Sequence, residues 1–214
     1  MSRLSYKTLA SGFEATGIYE DRRSRFIAQL THIVSEDEAN DYIAGVRARY
    51  HDARHNVPAW ILSDGRERCS DDGEPSRTAG MPILEVLHGA GLADVCCVVT
   101  RYFGGTLLGP GGLVRAYTAA TQIALTDAEK NNSLVEMRSV TRVTLTTVPY
   151  ALYERIRHLA SDAGGKVARA DFEAEVFLAI DFKSGEEKPF IDALRELGSG
   201  NLLPMVQSPR FDAF

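Results

Sequence analysis

Arg101-Tyr102-Phe103-Gly104-Gly105-Thr106-Leu107-Leu108-Gly109-Pro110-Gly111-Gly112-Leu113-Val114-Arg115-Ala116-Tyr117 decides how the first half of the chain folds. An apolar run before and within it, Val95 to Phe103, reads as a buried strand, and Leu113 to Ala128 reads as a helix. Five glycines fall in the nine residues from Gly104 to Gly112. Glycine admits positive φ and lets a ligand or another backbone come close. Ahead of a helix N-terminus, such a loop can aim free N–H groups at an anion. Arg101 and Arg115 bracket it and add fixed positive charge. The alternative is a tight strand-to-helix crossover that Pro110 stiffens and that faces no ligand. Two phosphate motifs are excluded. No lysine lies between Arg101 and Tyr117, as a Walker loop requires, and counting from Gly109 the dinucleotide pattern meets Val114 where its third glycine belongs.

Upstream, Tyr6 to Ala10 and Phe13 to Tyr19 read as strands around a Ser11-Gly12 turn, and Arg25 to Val34 as a third. Ser35-Glu36-Asp37-Glu38 matches a capping box, and Ala39, Ile43, Val46 and Tyr50 follow at helical spacing. Next come a strand (Val57 to Leu62), an Asp64-Gly65 turn and a polar loop from Ser70 to Gly80. Thr78 is the expected cap of a helix from Met81 to His88, with Pro82 in its first turn and Gly89 and Gly91 closing it. Glu129-Lys130-Asn131-Asn132-Ser133 is a polar break, which sets domains at residues 1–132 and 137–214. The second has one rhythm. Arg138 to Val148 is a strand, and Tyr150 to Ala163 is a helix with Leu152, Ile156, Leu159 and Ala160 inward, ended by Gly164-Gly165. Lys166 to Glu173 and Glu175 to Phe182 are strands, Glu186 to Leu197 a helix, and Leu202 to Val206 with Phe211 a last strand. That βαββαβ order is ferredoxin-like, so the chain is α+β.

An apolar content of 44% and a charged content of 25% are those of an ordinary soluble protein. The net charge of −5 argues against coating nucleic acid through global charge, so any such contact needs a local basic patch. No apolar run reaches membrane-spanning length, and the residues up to Arg25 show no apolar signal region, which places the expectation in the cytoplasm with no membrane partner. Cys69, Cys96 and Cys97 form no disulfide framework. Adjacent on a strand, Cys96 and Cys97 point to opposite faces and read as core fillers in a reducing compartment.

Asp71, Asp72 and Glu74 place three carboxylates within four residues, dense enough to chelate a hard cation or share a proton. The EF-hand spacing is absent, and no histidine or cysteine ligand pattern accompanies them. The same residues are also good turn chemistry, and Asp71 or Asp72 can pair with arginines or accept backbone N–H bonds. His51 and His55 are four apart, a spacing that can put two imidazoles on one helical face. The zinc-protease motif needs glutamate after the first histidine, and Asp52 stands there. His55 remains a site candidate because it abuts a buried-looking strand. No serine sits in a G-x-S-x-G elbow. No catalytic residue, metal or cofactor is assigned.

Ser24-Arg25-Phe26-Ile27-Ala28, His55-Asn56 with Ala59-Trp60, Ser70-Asp71-Asp72-Gly73-Glu74-Pro75, Thr78-Ala79-Gly80 and the glycine-rich stretch through Tyr117 together resemble the IMPACT/YigZ family. The resemblance covers the whole chain. It implies an N-terminal domain sharing the fold of the second domain of a small-subunit ribosomal protein. It also implies a ferredoxin-like C-terminal domain similar to the last domain of elongation factor G. The family implies a cytosolic protein connected with translation. Its eukaryotic members act by binding, competing for a ribosome-associated activator of a stress kinase, while no settled reaction comes with its bacterial members. One departure is visible: Arg77 stands where the family usually has glycine.

The expectation is therefore a translation-associated regulatory binding protein contacting RNA or a ribosome-associated partner. The expected surface joins His55, Asp71, Asp72, Glu74, Arg101, Gly104, Gly105, Gly109, Gly111, Gly112 and Arg115, extended by Arg22, Arg23 and Arg25, with Tyr102 and Tyr117 as rings on which bases could stack. The rival readings are a metal-dependent or hydrolytic enzyme using Asp71, Asp72, Glu74 and His55, and a regulator holding a small anion at Gly109 to Gly112.

Overall fold

The computed structural model describes residues 5–198 and 201–214. Tyr6–Glu136 and Met137–Phe214 each make a unit with its own core. The first contains β1 (Ser5–Leu9), β2 (Glu14–Asp21), β3 (Ser24–His32), α1 (Glu36–Arg49), β4 (His55–Ile61), β5 (Glu67–Cys69), α2 (Gly80–Gly89), β6 (Val95–Tyr102) and α3 (Gly109–Lys130). Its five-stranded sheet runs β2-β3-β6-β4-β5, antiparallel throughout. β6 is central, which is why Val95 to Val99 are buried on both faces. Cys96 lies among Ile43 and Val46 of α1 and Trp60 of β4. Its neighbour Cys97 is engaged by Thr121 of α3, and burial pushes its thiol up to about 12. The two cysteines thus pack into the two layers that sandwich the sheet. α3 crosses the sheet at Gly17, where a Cβ would lie 2.3 Å from the Ala120 carbonyl oxygen. Only glycine permits that approach.

Helix ends differ from the sequence expectation in instructive ways. Ser35 caps α1 by accepting the Glu38 N–H at 3.2 Å, but the Glu38 carboxylate takes the Val34 N–H rather than that of Ser35. Thr78 does not cap α2. Its hydroxyl donates to the Pro75 carbonyl, and the Asp71 carboxylate accepts the Ala79 and Gly80 N–H groups at 3.1 and 2.9 Å instead. α3 begins at Gly109, four residues before Leu113, because Pro110 suits a first helical turn. Gly111 and Gly112 therefore lie in the first turn of the helix and not in the loop, while Gly109, at φ +71°, makes the turn into it. Asn131 and Asn132 form a tight turn, Asn132 at φ +52°, and Ser133 accepts the Ala10 N–H at 2.7 Å.

The strand that follows, β7 (Leu134–Val148), carries the division between the units at residues 136 and 137. Then come α4 (Tyr150–Asp162), β8 (Lys166–Phe172), β9 (Val176–Lys183), α5 (Lys188–Leu197), β10 (Met205–Val206) and β11 (Arg210–Ala213). β8 pairs with β9, β9 with β7, and β10 and β11 with the other edge of β7, all antiparallel. That is the ferredoxin-like order. Val143, Leu145, Leu178, Ile180 and Phe182 of the sheet meet Ile156, Ala160, Phe190 and Leu194 of the helices. The expected last strand is two short ones, with Leu202 outside both and buried near Gly198.

Candidate functional site

Arg101 lies one residue from the end of β6, and its side chain turns into the first unit. Its guanidinium donates to a Glu74 carboxylate oxygen at 2.5 Å, and the Tyr117 hydroxyl donates to the same oxygen at 2.9 Å. Arg101 is only 6% exposed and Glu74 9%. Burial, and then the Glu74 charge, push the Tyr117 hydroxyl well above its ordinary value, so it stays a donor. The guanidinium carbon also sits 5.4 Å from the Phe26 ring centroid and 5.7 Å from that of Phe103. One ion pair thereby ties β6, the loop before α2 and helix α3 together. The Arg101 Nε is buried and has no hydrogen-bond partner among the described residues.

The other two carboxylates of the acidic loop are equally engaged. Asp71 accepts three backbone N–H groups, from Arg77 at 2.7 Å and from Ala79 and Gly80. Asp72 accepts the Asn56 N–H at 2.7 Å and Arg47 at 2.9 Å. His55 Nδ1 lies 2.7 Å from the Asp72 carbonyl oxygen. A carbonyl can only accept, so Nδ1 carries the proton. The loop turns through left-handed backbone at Asp72 (φ +46°), Gly73 (+85°) and Arg77 (+63°). The Arg77 position is thus one that favours glycine, and its side chain is exposed with no bond to the carboxylates beside it. Among the described residues no group of three or more His, Cys, Asp or Glu is placed to hold a metal.

In front of the ion pair lies a cavity of about 370 Å³. Arg54, His55, Glu74 and Arg101 supply its polar wall, and Pro75, Phe103, Leu107, Leu108, Pro110 and Leu113 its apolar one. The glycines divide by role. Gly105 (φ +85°) and Gly109 (φ +71°) supply left-handed turns, and Gly109 lines the cavity. Gly104 lets the loop press on the β2–β3 hairpin, since a Cβ there would lie 2.1 Å from the Arg23 carbonyl carbon. Gly112 packs on Leu108, while a Cβ on Gly111 would meet open space. The hairpin turn itself is Arg22-Arg23, both at positive φ, and Arg22 reaches the Leu107 carbonyl at 3.5 Å.

Of the residues singled out from sequence, His55, Glu74, Arg101 and Gly109 meet at this cavity. Asp71 and Asp72 stand behind it, holding the loop. Arg22 and Arg23 sit beside its Leu107 lip, and Arg25 faces Glu20 at 3.9 Å. Arg115 is exposed on α3 and is not among the lining residues. His51 does not join His55, because α1 stops at Arg49 and His55 opens β4. Tyr117 has no exposed ring on which a base could stack, and the Tyr102 hydroxyl is bonded to Asp52 at 2.7 Å. The apolar wall was missed from sequence. Its signal is two large apolar residues, Phe103 and Leu107, in a stretch otherwise rich in glycine; they are 49% and 80% exposed.

Comparison with known proteins matches residues 22–125 to the Impact N-terminal domain and residues 146–201 to a domain of unknown function, DUF1949. The chain is 35% identical over 191 residues to the IMPACT family member YigZ of Escherichia coli (strain K12), covering 87% of this chain and 91% of that one. It is 33% identical over 198 residues to the IMPACT family member YvyE of Bacillus subtilis (strain 168), covering 92% and 88%. Protein IMPACT of Bos taurus is 32% identical over 118 residues, 52% of this chain and 36% of that protein. A crystal structure of a hypothetical protein, 32% identical, superposes with a TM-score of 0.62 over 95% of this chain and 97% of that one. The chain belongs to the IMPACT family.

Proposed function

We propose that this chain is a regulatory binding protein of the translation apparatus, acting by recognising a partner and not by turning over a substrate. Family membership supports the connection with translation. The observation that carries the binding reading is the exposed pair Phe103 and Leu107 beside the Arg22-Arg23 hairpin tip and Arg54. Apolar anchors among cations suit a partner with apolar or planar groups set in negative charge. RNA bases and phosphates supply that combination, as does an acidic ribosome-associated protein. The engaged carboxylates support the second half of the reading. Asp71, Asp72 and Glu74 each hold internal donors and would have to release them to activate a water or bind a cation.

The test is a pull-down from lysate, with and without RNase, using the parent chain and a Phe103→Ser/Leu107→Ser double variant. RNA or ribosomal particles should be captured by the parent and lost with the double variant. Equal capture by both would refute this contact surface. If RNA is the partner, about three phosphates met by the hairpin tip and Arg54 predict a log–log salt slope of about −2 on a single strand. Capture that survives RNase and shows no such slope assigns a protein partner.

A further inference from the structure

We infer that the cavity in front of Arg101 receives one unstacked base of an RNA strand, with His55 Nε2 accepting an N–H from the edge of that base; this rests on the RNA half of the reading above. The imidazole is the first support. His55 Nδ1 gives its proton to the Asp72 carbonyl at 2.7 Å, and Asp72 is itself fixed by Arg47 and the Asn56 N–H. A Cβ on Gly73 would lie 3.5 and 3.6 Å from His55 Cε1 and Nδ1, so that edge of the ring faces the loop. The other edge carries Nε2, which in the neutral ring is an acceptor held in a set direction. Nε2 makes no hydrogen bond among the described residues, and it is not one of the atoms sealed from solvent. His55 lines the cavity, so an acceptor that a ligand can reach stands in its wall.

The second support is the order of charge from floor to rim. Glu74 neutralises Arg101 at the floor, and both are buried, so the interior suits a neutral group. Arg54, by contrast, is exposed, and its guanidinium has no hydrogen bond or ion pair among the described residues. The Arg23 side chain is equally free, at the tip of the hairpin whose Arg22 reaches the Leu107 lip. A nucleotide in a strand has the matching order, a neutral base at one end and phosphates at the other. The third support is the wall. Phe103 stays 49% exposed although the Arg101 guanidinium lies 5.7 Å from its centroid, and Leu107, Leu108 and Leu113 extend the apolar surface on which a planar ring can pack. An aliphatic side chain from a protein partner would cover that wall but leave the Nε2 lone pair enclosed without a donor. A base supplies ring and N–H together.

The experiment is fluorescence anisotropy of the full chain with labelled single strands of about ten nucleotides: oligoadenylate, oligocytidylate, oligouridylate and a ribose-phosphate strand of equal length without bases. At least one homopolymer should bind about tenfold or more tighter than the abasic strand, and the ¹⁵N signal of His55 Nε2 should move as it binds. His55→Asn keeps an N–H for the Asp72 carbonyl and removes the Nε2 acceptor. It should weaken that homopolymer about fivefold or more and leave the abasic strand unchanged. The abasic comparison and the Nε2 signal are read on the parent chain, so they stand whether or not the variant folds. Equal affinity for the abasic strand and every homopolymer, a still Nε2 signal, or the parent's preference in a folded His55→Asn chain would overturn the base pocket and leave an RNA contact in place. A nucleoside monophosphate binding as tightly as its homopolymer would assign a free nucleotide and overturn the strand. Failure of every strand to bind would overturn the pocket together with the RNA reading, and the RNase-treated pull-down then reports the protein partner.

Discussion

Replacing Arg77 by glycine should stabilise the first unit although it deletes a long charged side chain. Arg77 holds φ +63°, where an L-residue's Cβ crowds its own backbone at a cost of about 1–2 kcal/mol. Its side chain is exposed and makes no hydrogen bond or ion pair among the described residues. Its one anchoring contact is the backbone N–H to Asp71 at 2.7 Å, which glycine keeps. Against the relief stands the greater freedom of glycine in the unfolded chain, about 0.5–1 kcal/mol. The difference is a net gain of roughly 0.5–1 kcal/mol. With a urea slope of about 2–3 kcal/mol/M, the midpoint should rise by about 0.3 M at unchanged slope. Arg77→Ala is the control. It removes the same charge but keeps the Cβ, so its stability should stay within about 0.5 kcal/mol of the parent. If alanine stabilises as much as glycine, side-chain charge and not backbone strain is responsible, and the reasoning fails.

Three further outcomes follow from the same geometry. Gly104→Ala drives a Cβ onto the Arg23 and Ser24 backbone and should lose more than about 2 kcal/mol, whereas Gly111→Ala, in open space within a helix, should gain up to about 1; equal urea midpoints would contradict the assigned roles. Glu74→Ala leaves Arg101 buried and unpaired and should cost about 3–5 kcal/mol, so a loss under about 1 would mean that the pair is solvated. In the second unit, burial pushes the Asp181 carboxyl up, but hydrogen bonds from Arg142 and Arg210 outweigh this and hold it below the usual carboxylate range. A lowered folded value stabilises fully above the unfolded value near pH 4 and is lost as pH falls through the folded one. Urea melts at pH 5 and pH 3 should therefore show a smaller acid loss for Asp181→Asn than for the parent, and identical losses would remove this network from the acid response.

The elements legible in the sequence are those whose signal is local. The apolar run of β6, the helical spacing after Ser35 and the βαββαβ rhythm are each set within a few residues, and β6 is buried along nearly its whole length while Ala39, Ile43 and Val46 of α1 face the core. The alternating faces of Cys96 and Cys97 follow from strand geometry alone. Where an end was misplaced, a distant residue decided it. Thr78 has the chemistry of a cap, yet Asp71, eight and nine residues before Ala79 and Gly80, holds that role because the loop folds back on the helix.

Residue types alone thus determined a two-part α+β chain, a strand joined to a helix through glycines, and a dense acidic loop. Only the tertiary structure decided what those carboxylates do. Sequence separation says nothing about where a loop returns, and a carboxylate is equally suited to a metal, a proton or a backbone N–H until its neighbours are fixed in space. Glu74 meets Arg101 and Tyr117 across 27 and 43 residues, and that meeting is what builds the floor of the cavity. The apolar wall opposite has the same origin: Phe103 and Leu107 would read as core in any pattern, and they stay exposed because positive φ at Gly105 and the close approach of Gly104 to the hairpin turn the chain outward between them.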